Sequence, residues 1–419
     1  MGQKWLKKTL LIIFITITAV IAFPLLNRFI FWAQPTAIEQ SIVSVGNPFS
    51  EDGHRDRSLN VWDLQVFDGK LYIGGGSTVD NTGPINVWAY DLATQQFEQE
   101  YTVQEEAIEH FRVFQDQLYI PAADPTEGDA NKFYYRDHEG GWHQVTDASI
   151  PLAHARDMIK LDTGEIILVG NSRDFKDLSN PGTVITLDHG ETFHSAGIDY
   201  ALRSEFNWFF SIFSYQGKTY APTSLLKDYQ DFPGTIAVFN PDSQKLELDP
   251  ALSNSMFIPH EQLQRRWGKQ GFYVIYRLWN PVEYNTALVY PVRSYSYYNR
   301  NYKQGYMNSI GCYVKPTPNS NPFAITLPDN RSIGEDVLKI NNELYLLANT
   351  RVARNQFIIY VYKTDNPTDP KRWQTVMQFR SPNKARAFEY ADGMFYFGLG
   401  QDYGDPIGKA GEILRLHWH

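Results

Sequence analysis

One hairpin pattern recurs along this chain and limits what it can fold into: an apolar strand, a turn carrying Gly, Asn or Asp, and a second strand with an aromatic or aliphatic anchor. Copies span residues 66–72, 113–119, 160–167, 214–220, 339–345 and 389–396, with anchors at Tyr72, Tyr119, Ile167, Tyr220, Tyr345 and Tyr396. Successive anchors lie 47, 48, 53, 125 and 51 residues apart, and a degenerate copy at 282–290, anchored on Tyr290, divides the long gap into 70 and 55. A second strand pair follows most hairpins, as at 86–90 with 96–98, or 357–362 with 373–376. Two hairpins make a four-stranded sheet, and seven sheets at a period near 50 residues predict an all-β, seven-bladed β-propeller, with six or eight blades as the neighbouring counts.

Closure supports this reading. The last unit has a hairpin and one more strand, 412–417, and so lacks a fourth. Residues 38–46 precede the first repeat with strand character and are expected to fill the vacancy, since a propeller is stable only when its ends join. A two-domain β-sandwich would explain the strand content but neither the spacing nor the orphan strand. With 419 residues in all, residues 35–419 form one domain of about 55 residues per blade. Outside a weak stretch at 259–267, no long segment has the apolar period of an amphipathic helix.

The segment 186–193, with Asp188, Gly190, Thr192 and Phe193, matches the pattern S/T-x-D-x-G-x-T-W/F. It resembles the Asp-box repeat of sialidase-like propellers. The resemblance implies a tight turn between third and fourth strands, in which Asp188 accepts backbone N–H groups, Gly190 takes positive φ and Phe193 packs between blades. Looser echoes begin at Asp91, Asp137 and Asp365. The strict match covers eight residues, and the box is structural in the enzymes that carry it. Kelch and WD40 patterns fit less well: a Gly pair after the second strand occurs only at 74–76, and Trp62-Asp63 opens a blade instead of closing its third strand.

Residues 9–26 form an uncharged apolar run behind Lys4, Lys7 and Lys8. At about 1.5 Å per residue, such a helix would be about 27 Å long, enough for a hydrocarbon core. Residues 1–34 therefore read as a signal anchor, which the length favours, or as a cleaved signal peptide with Val20 and Ala22 at positions −3 and −1. Either way the lysines stay in the cytoplasm, and the domain is displayed outside it as a single-pass membrane protein or, if cleaved, is secreted or periplasmic. The net charge is −9, and −13 over residues 35–419. That acidity argues against a nucleic-acid partner. The single cysteine, Cys312, excludes an intramolecular disulfide and cysteine-based metal sites.

In a propeller the innermost strand of each blade lines the axis. Reading back about ten residues from each anchor collects Trp62 and Asp63; Glu109, His110 and Arg112; His154, Arg156 and Asp157; Arg203 and Glu205; Glu335 and Asp336; and Arg386. Asp63, Asp157, Glu335 and Asp336 are the catalytic candidates, since converging carboxylates can supply a general acid and base for glycoside hydrolysis. Trp62, Glu109, His110, Arg112, His154, Arg156 and Arg386 are candidates for ligand binding. Mutually paired charges lining a water-filled channel explain the same residues without chemistry. No cofactor or resident metal is implied, although the acidic turn from Asp124 through Glu127 and Asp129 to Asn131 suits a structural calcium. No nucleophile elbow, P-loop or dinucleotide fingerprint is present.

The fifth unit departs from the rest. Residues 262–306 carry a net charge of +6 and nine tyrosines. Arg293, Tyr298, Arg300 and Tyr302 are therefore expected to meet a glycan or protein partner, because aromatic faces stack and guanidinium forks pair with anions. Tyrosines packed between neighbouring blades are the alternative. The chain reads as an extracytoplasmic, membrane-tethered binding or assembly module for a protein or glycan. A carbohydrate-active hydrolase of the sialidase or glycosidase kind is the alternative, and a lectin-like protein a third reading.

Overall fold

A computed structural model describes residues 39, 41–50, 59–77, 83–126, 132–146, 152–172, 183–186, 192, 194–195, 208–224, 235–259, 273–297, 307–402 and 407–418. The chain divides after Ile42, and the unit Val43–His419 holds every described strand.

The fold is a seven-bladed β-propeller. Seven antiparallel sheets follow one another in chain order, each a meander from the axis outward. Blades 1 to 7 open with the inner strands Asp63–Phe67, Arg112–Phe114, Leu152–Lys160, Trp208–Phe209 with Phe213–Tyr215, Tyr273–Leu278 with Val282–Tyr284, Ile333–Ile340 and Lys384–Ala391. The repeated hairpins join inner to second strands. Their turns are tight because Asp68 (φ 48°) and Gly69 (φ 73°), or Gln216 (φ 50°) and Gly217 (φ 72°), both take positive φ, the two-residue geometry that suits the twist of paired strands.

Blade 7 is completed from the other end of the chain. Val43–Gly46 pairs antiparallel with Ile413–His417, Val43 opposite Arg415 and Ser44 opposite Leu414. The edge strand within the expected 38–46 is thus four residues long. A one-residue correction falls in blade 5: Val282 pairs with Val289, so Val289, not Tyr290, is the equivalent of the other anchors. Tyr290 instead donates its buried hydroxyl to the carbonyl of Phe257 at 2.6 Å.

Apolar faces pack blade against blade around the ring. Leu64, Ile73 and Trp88 of blade 1 meet Ala387, Tyr396 and Ile413 of blade 7. Ile167 and Val169 of blade 3 meet Phe209 and Ala237 of blade 4, and Cys312 of blade 5 lies buried against Leu346 and Ala348 of blade 6. Short polar turns between third and fourth strands are capped by side chains: Asp91 accepts from the N–H groups of Ala93 and Thr94, and Asp137 from those of Glu139 and Gly141. The corresponding connection in blade 3 is 187–193, between Thr183–Thr186 and His194–Ser195. Asp188, Gly190 and Phe193 lie outside the described residues, and Thr192 is exposed.

Candidate functional site

Strand register turns the scattered axial candidates into two rings. Counting back from the hairpins, the position of Asp63 is held in blades 1 to 7 by Asp63, His110, Asp157, Ser211, Asn280, Asp336 and Ala387. The preceding position is held by Trp62, Glu109, Arg156, Phe210, Trp279, Glu335 and Arg386. Arg156, Glu335 and Arg386 are the residues skipped where the inner strands of blades 3, 6 and 7 bulge. A bulge re-aims side chains at a strand edge.

The three aspartates act alike. Asp63 accepts from the backbone N–H of Phe111 at 2.8 Å, Asp157 from that of Ile212 at 3.2 Å, and Asp336 from that of Phe388 at 3.3 Å. Each acceptor reaches the inner strand of the next blade, one position beyond the ring. These N–H groups lie on the axial edge of a sheet, where no further strand can pair with them, and a buried N–H without a partner is costly. Glu389 repeats the arrangement from blade 7 to Val66 of blade 1 at 3.4 Å. Asp157 and Asp336 also accept from their own following N–H groups, those of Met158 and Val337.

Blade 5 closes the axis. Trp279 is fully buried, with the Arg293 guanidinium carbon 3.5 Å and that of Arg277 4.9 Å from its ring centroid, and the His110 ring 3.9 Å away. Arg277 crosses to ion-pair with Glu109 of blade 2 and donates to the carbonyl of Arg156 in blade 3. Asn280, held at φ 37°, donates to Asp63 at 3.1 Å and Asp336 at 3.4 Å and accepts from Arg112 at 2.9 Å. One amide therefore ties blades 1, 2, 5 and 6 together. Arg112 in turn pairs with Asp157 at 3.0 Å.

A second buried network lies between blades 6 and 7. Lys384 bridges Glu335 at 3.1 Å and Asp402 at 2.6 Å. Arg386 bonds Asn60, the carbonyl of Gln401 and Asp402, with its guanidinium 4.5 Å from the Trp62 ring centroid. Burial opposes the charge on Asp402, but Lys384 and Arg386 outweigh it and hold the carboxyl at about 2.

Burial pushes the Asp336 carboxyl up to about 8, reinforced by the Asp63 charge and opposed by Arg293. Burial likewise raises Asp63. The His110 ring is driven well below its ordinary value by burial and by Arg277, Arg112 and Arg293. Away from the axis, burial lifts Glu105 to about 8 despite Lys132. Glu105 accepts from the N–H of Asp124 at 3.1 Å and the hydroxyl of Tyr134 at 3.2 Å. Asp124 lies 3.1 Å from Nδ1 of His154, a partly exposed pair.

Asp336 and Glu105, both enclosed by protein, keep protons in the folded state that their unfolded forms release near pH 4. Their contribution is thus complete below pH 4 and lost as pH rises through about 8. Denaturation midpoints are expected to fall between pH 5 and 9, each group contributing on the order of 1–3 kcal/mol, with a shallower slope in Asp336→Asn. Urea titrations across this range measure it; an unchanged slope in the variant would assign the pH dependence elsewhere.

Asp63, Glu109, His110, Arg112, Asp157 and Asp336 converge into a packed network, whereas His154 pairs with Asp124 away from it. The oxygens a cation would need are already engaged: those of Asp63 and Asp336 accept from Nδ2 of Asn280 and from the backbone N–H groups of the neighbouring blades, and Oδ1 of Asn280 accepts from Arg112. Arg293, expected at a partner surface, is instead wholly enclosed. Tyr298, Arg300, Tyr302, Arg203 and Glu205, the basic segment on either side of residues 273–297, and Glu127, Asp129 and Asn131 lie outside the described residues. Trp279 and Asn280 carry no signal in the sequence beyond their place before a degenerate hairpin, and Arg277 reads there only as one of the basic residues of the fifth unit. Ten residues before Tyr290 stands Asn280, so the same spacing does mark the axial position of this degenerate unit. Among the described residues no helix is long and apolar enough to cross a membrane, and residues 9–26 lie outside them.

No family model and no curated protein matches the chain. Among solved structures it is similar to polysaccharide lyase Uly1, with a TM-score of 0.43 and 11% identity over 87% of this chain and 91% of that one. It is also similar to the AfRom2 CNH domain (TM-score 0.43, 9% identity, 90% of this chain and 99% of that one). A third similar structure is BamB from Moraxella catarrhalis (TM-score 0.35, 9% identity, 85% of each chain).

Proposed function

We propose that this propeller is a binding or assembly module for a protein or glycan partner, held outside the cytoplasm by its N-terminal segment. One observation carries the reading: Asp63, Asp157 and Asp336 each bond the backbone of the next blade. General acid–base catalysis needs a carboxyl within reach of substrate, and these three are buried. Recognition then falls to the connections around the face where the inner strands begin, with the basic, tyrosine-rich unit as the first contact to test.

The test is a panel of neutral and anionic polysaccharides, assayed for released ends and, separately, for retention in affinity electrophoresis. The expected result is no turnover, with any retention weakened at least tenfold when Arg300 and Tyr302 become Ala. Turnover abolished by Asp157→Asn or Glu335→Gln in a folded variant would overturn the module.

The alternative, a carbohydrate-active enzyme, draws on one observation at the rim. Glu105, lifted to about 8, lies beside Asp124 and its partner His154, a protonated carboxyl next to a second acid, as glycoside hydrolysis requires. Turnover lost in His154→Asn but kept in Asp157→Asn would favour it.

A further inference from the structure

Arg293 is a buried charge whose counter-charges, Glu335, Asp336 and Asp63, act on it through space without hydrogen-bonding it. Its guanidinium is fully enclosed, and Nη2 donates to the carbonyls of Arg386 at 2.8 Å and Glu335 at 3.4 Å. Nε and Nη1 have no hydrogen-bond partner. The nearest acids are engaged elsewhere: Glu335 with Lys384, Asp336 with the N–H groups of Phe388 and Val337, and Asp63 with Phe111 and Asn280. A guanidinium does not give up its proton at neutral pH, and an enclosed ion whose donors are left without hydrogen bonds is costly for a fold to hold.

The face of Trp279, 3.5 Å from the guanidinium carbon, offsets part of that cost but accepts no hydrogen bond. Around it, Nε1 of Trp279 and Nε of Arg277 also lack partners. Arginine and indole nitrogens only donate. Against these four N–H atoms of Arg293, Arg277 and Trp279, the cluster offers one unpartnered carboxylate oxygen, Oε2 of Glu335. We infer that the axis of the propeller binds a small monovalent inorganic anion of the chloride class at Nε and Nη1 of Arg293, beside Trp279 and His110. Such an ion would neutralise Arg293 and make closure of the ring depend on anion supply.

Thermal unfolding in potassium chloride or bromide, against potassium gluconate at equal ionic strength, tests this with the full chain. Tm is expected to rise by about 2–4 °C between 0 and 100 mM halide. The rise should vanish in Arg293→Met and shrink in Trp279→Phe, which keeps an aromatic face but removes the N–H. Crystals grown in bromide should show an anomalous peak beside Arg293. A Tm that follows ionic strength alone overturns the inference, as does a water molecule in place of the bromide or a peak confined to the surface. The wild-type measurements decide the matter even if Arg293→Met does not fold.

Discussion

Trp279→Ala is expected to lower the free energy of unfolding by about 3–5 kcal/mol, the usual range for emptying a fully buried tryptophan site. Three effects combine. The transfer free energy of a large ring is lost, and a cavity opens on the axis, where inner strands of opposite blades cannot close in without breaking the ring. Arg293 and Arg277 also lose the aromatic face against which both are enclosed, worth roughly 2 kcal/mol for a desolvated cation. Trp279→Phe should cost less, because the face survives. Chemical denaturation midpoints of the two variants against wild type measure this. A loss below about 1 kcal/mol in the alanine variant would mean that Trp279 only occupies an open channel, and would return the axis to the list of ligand sites.

The architecture was legible in the sequence because a propeller repeats its turn chemistry. Asp68-Gly69, Gln216-Gly217 and Asp392-Gly393 mark three hairpins whose turns take positive φ twice in succession, and the strand character of residues 38–46 pointed to the strand that completes blade 7. Where the repeat decays, so did the reading. In blade 5 the turn is Asn285-Thr286 and the anchor is the plain Val289, flanked by the more conspicuous Tyr290, so the count slipped by one. The same decay hid Trp279 and Asn280. The axial charges were found by type, but their roles depend on which neighbour each meets. Nothing local in Gly-Glu335-Asp336 says that Glu335 will take a lysine from blade 7 while Asp336 takes a backbone N–H from it. Tyrosine and arginine in one segment suggested a surface, yet Arg277 and Arg293 stand on strands whose side chains turn inward, which composition cannot distinguish.

Asp157→Ala separates the two meanings a buried carboxylate can have. As an inter-blade bond it serves three partners: the Arg112 guanidinium, the N–H of Met158 and the N–H of Ile212. Removing it strands a largely buried cation and an axial-edge donor, so the variant should lose about 3–5 kcal/mol of stability, the cost typical of breaking one side of a buried pair. Much of that cost comes from the uncompensated charge. Arg112→Met in the Asp157→Ala background should therefore restore part of the loss, and the double-mutant cycle should show coupling of at least about 1 kcal/mol. A catalytic carboxylate behaves in the opposite way, since its removal abolishes turnover and leaves stability unchanged or improved. Matched urea denaturation of the four proteins reads the difference directly, and an Asp157→Ala variant as stable as wild type would show that blades 3 and 4 are joined by packing alone.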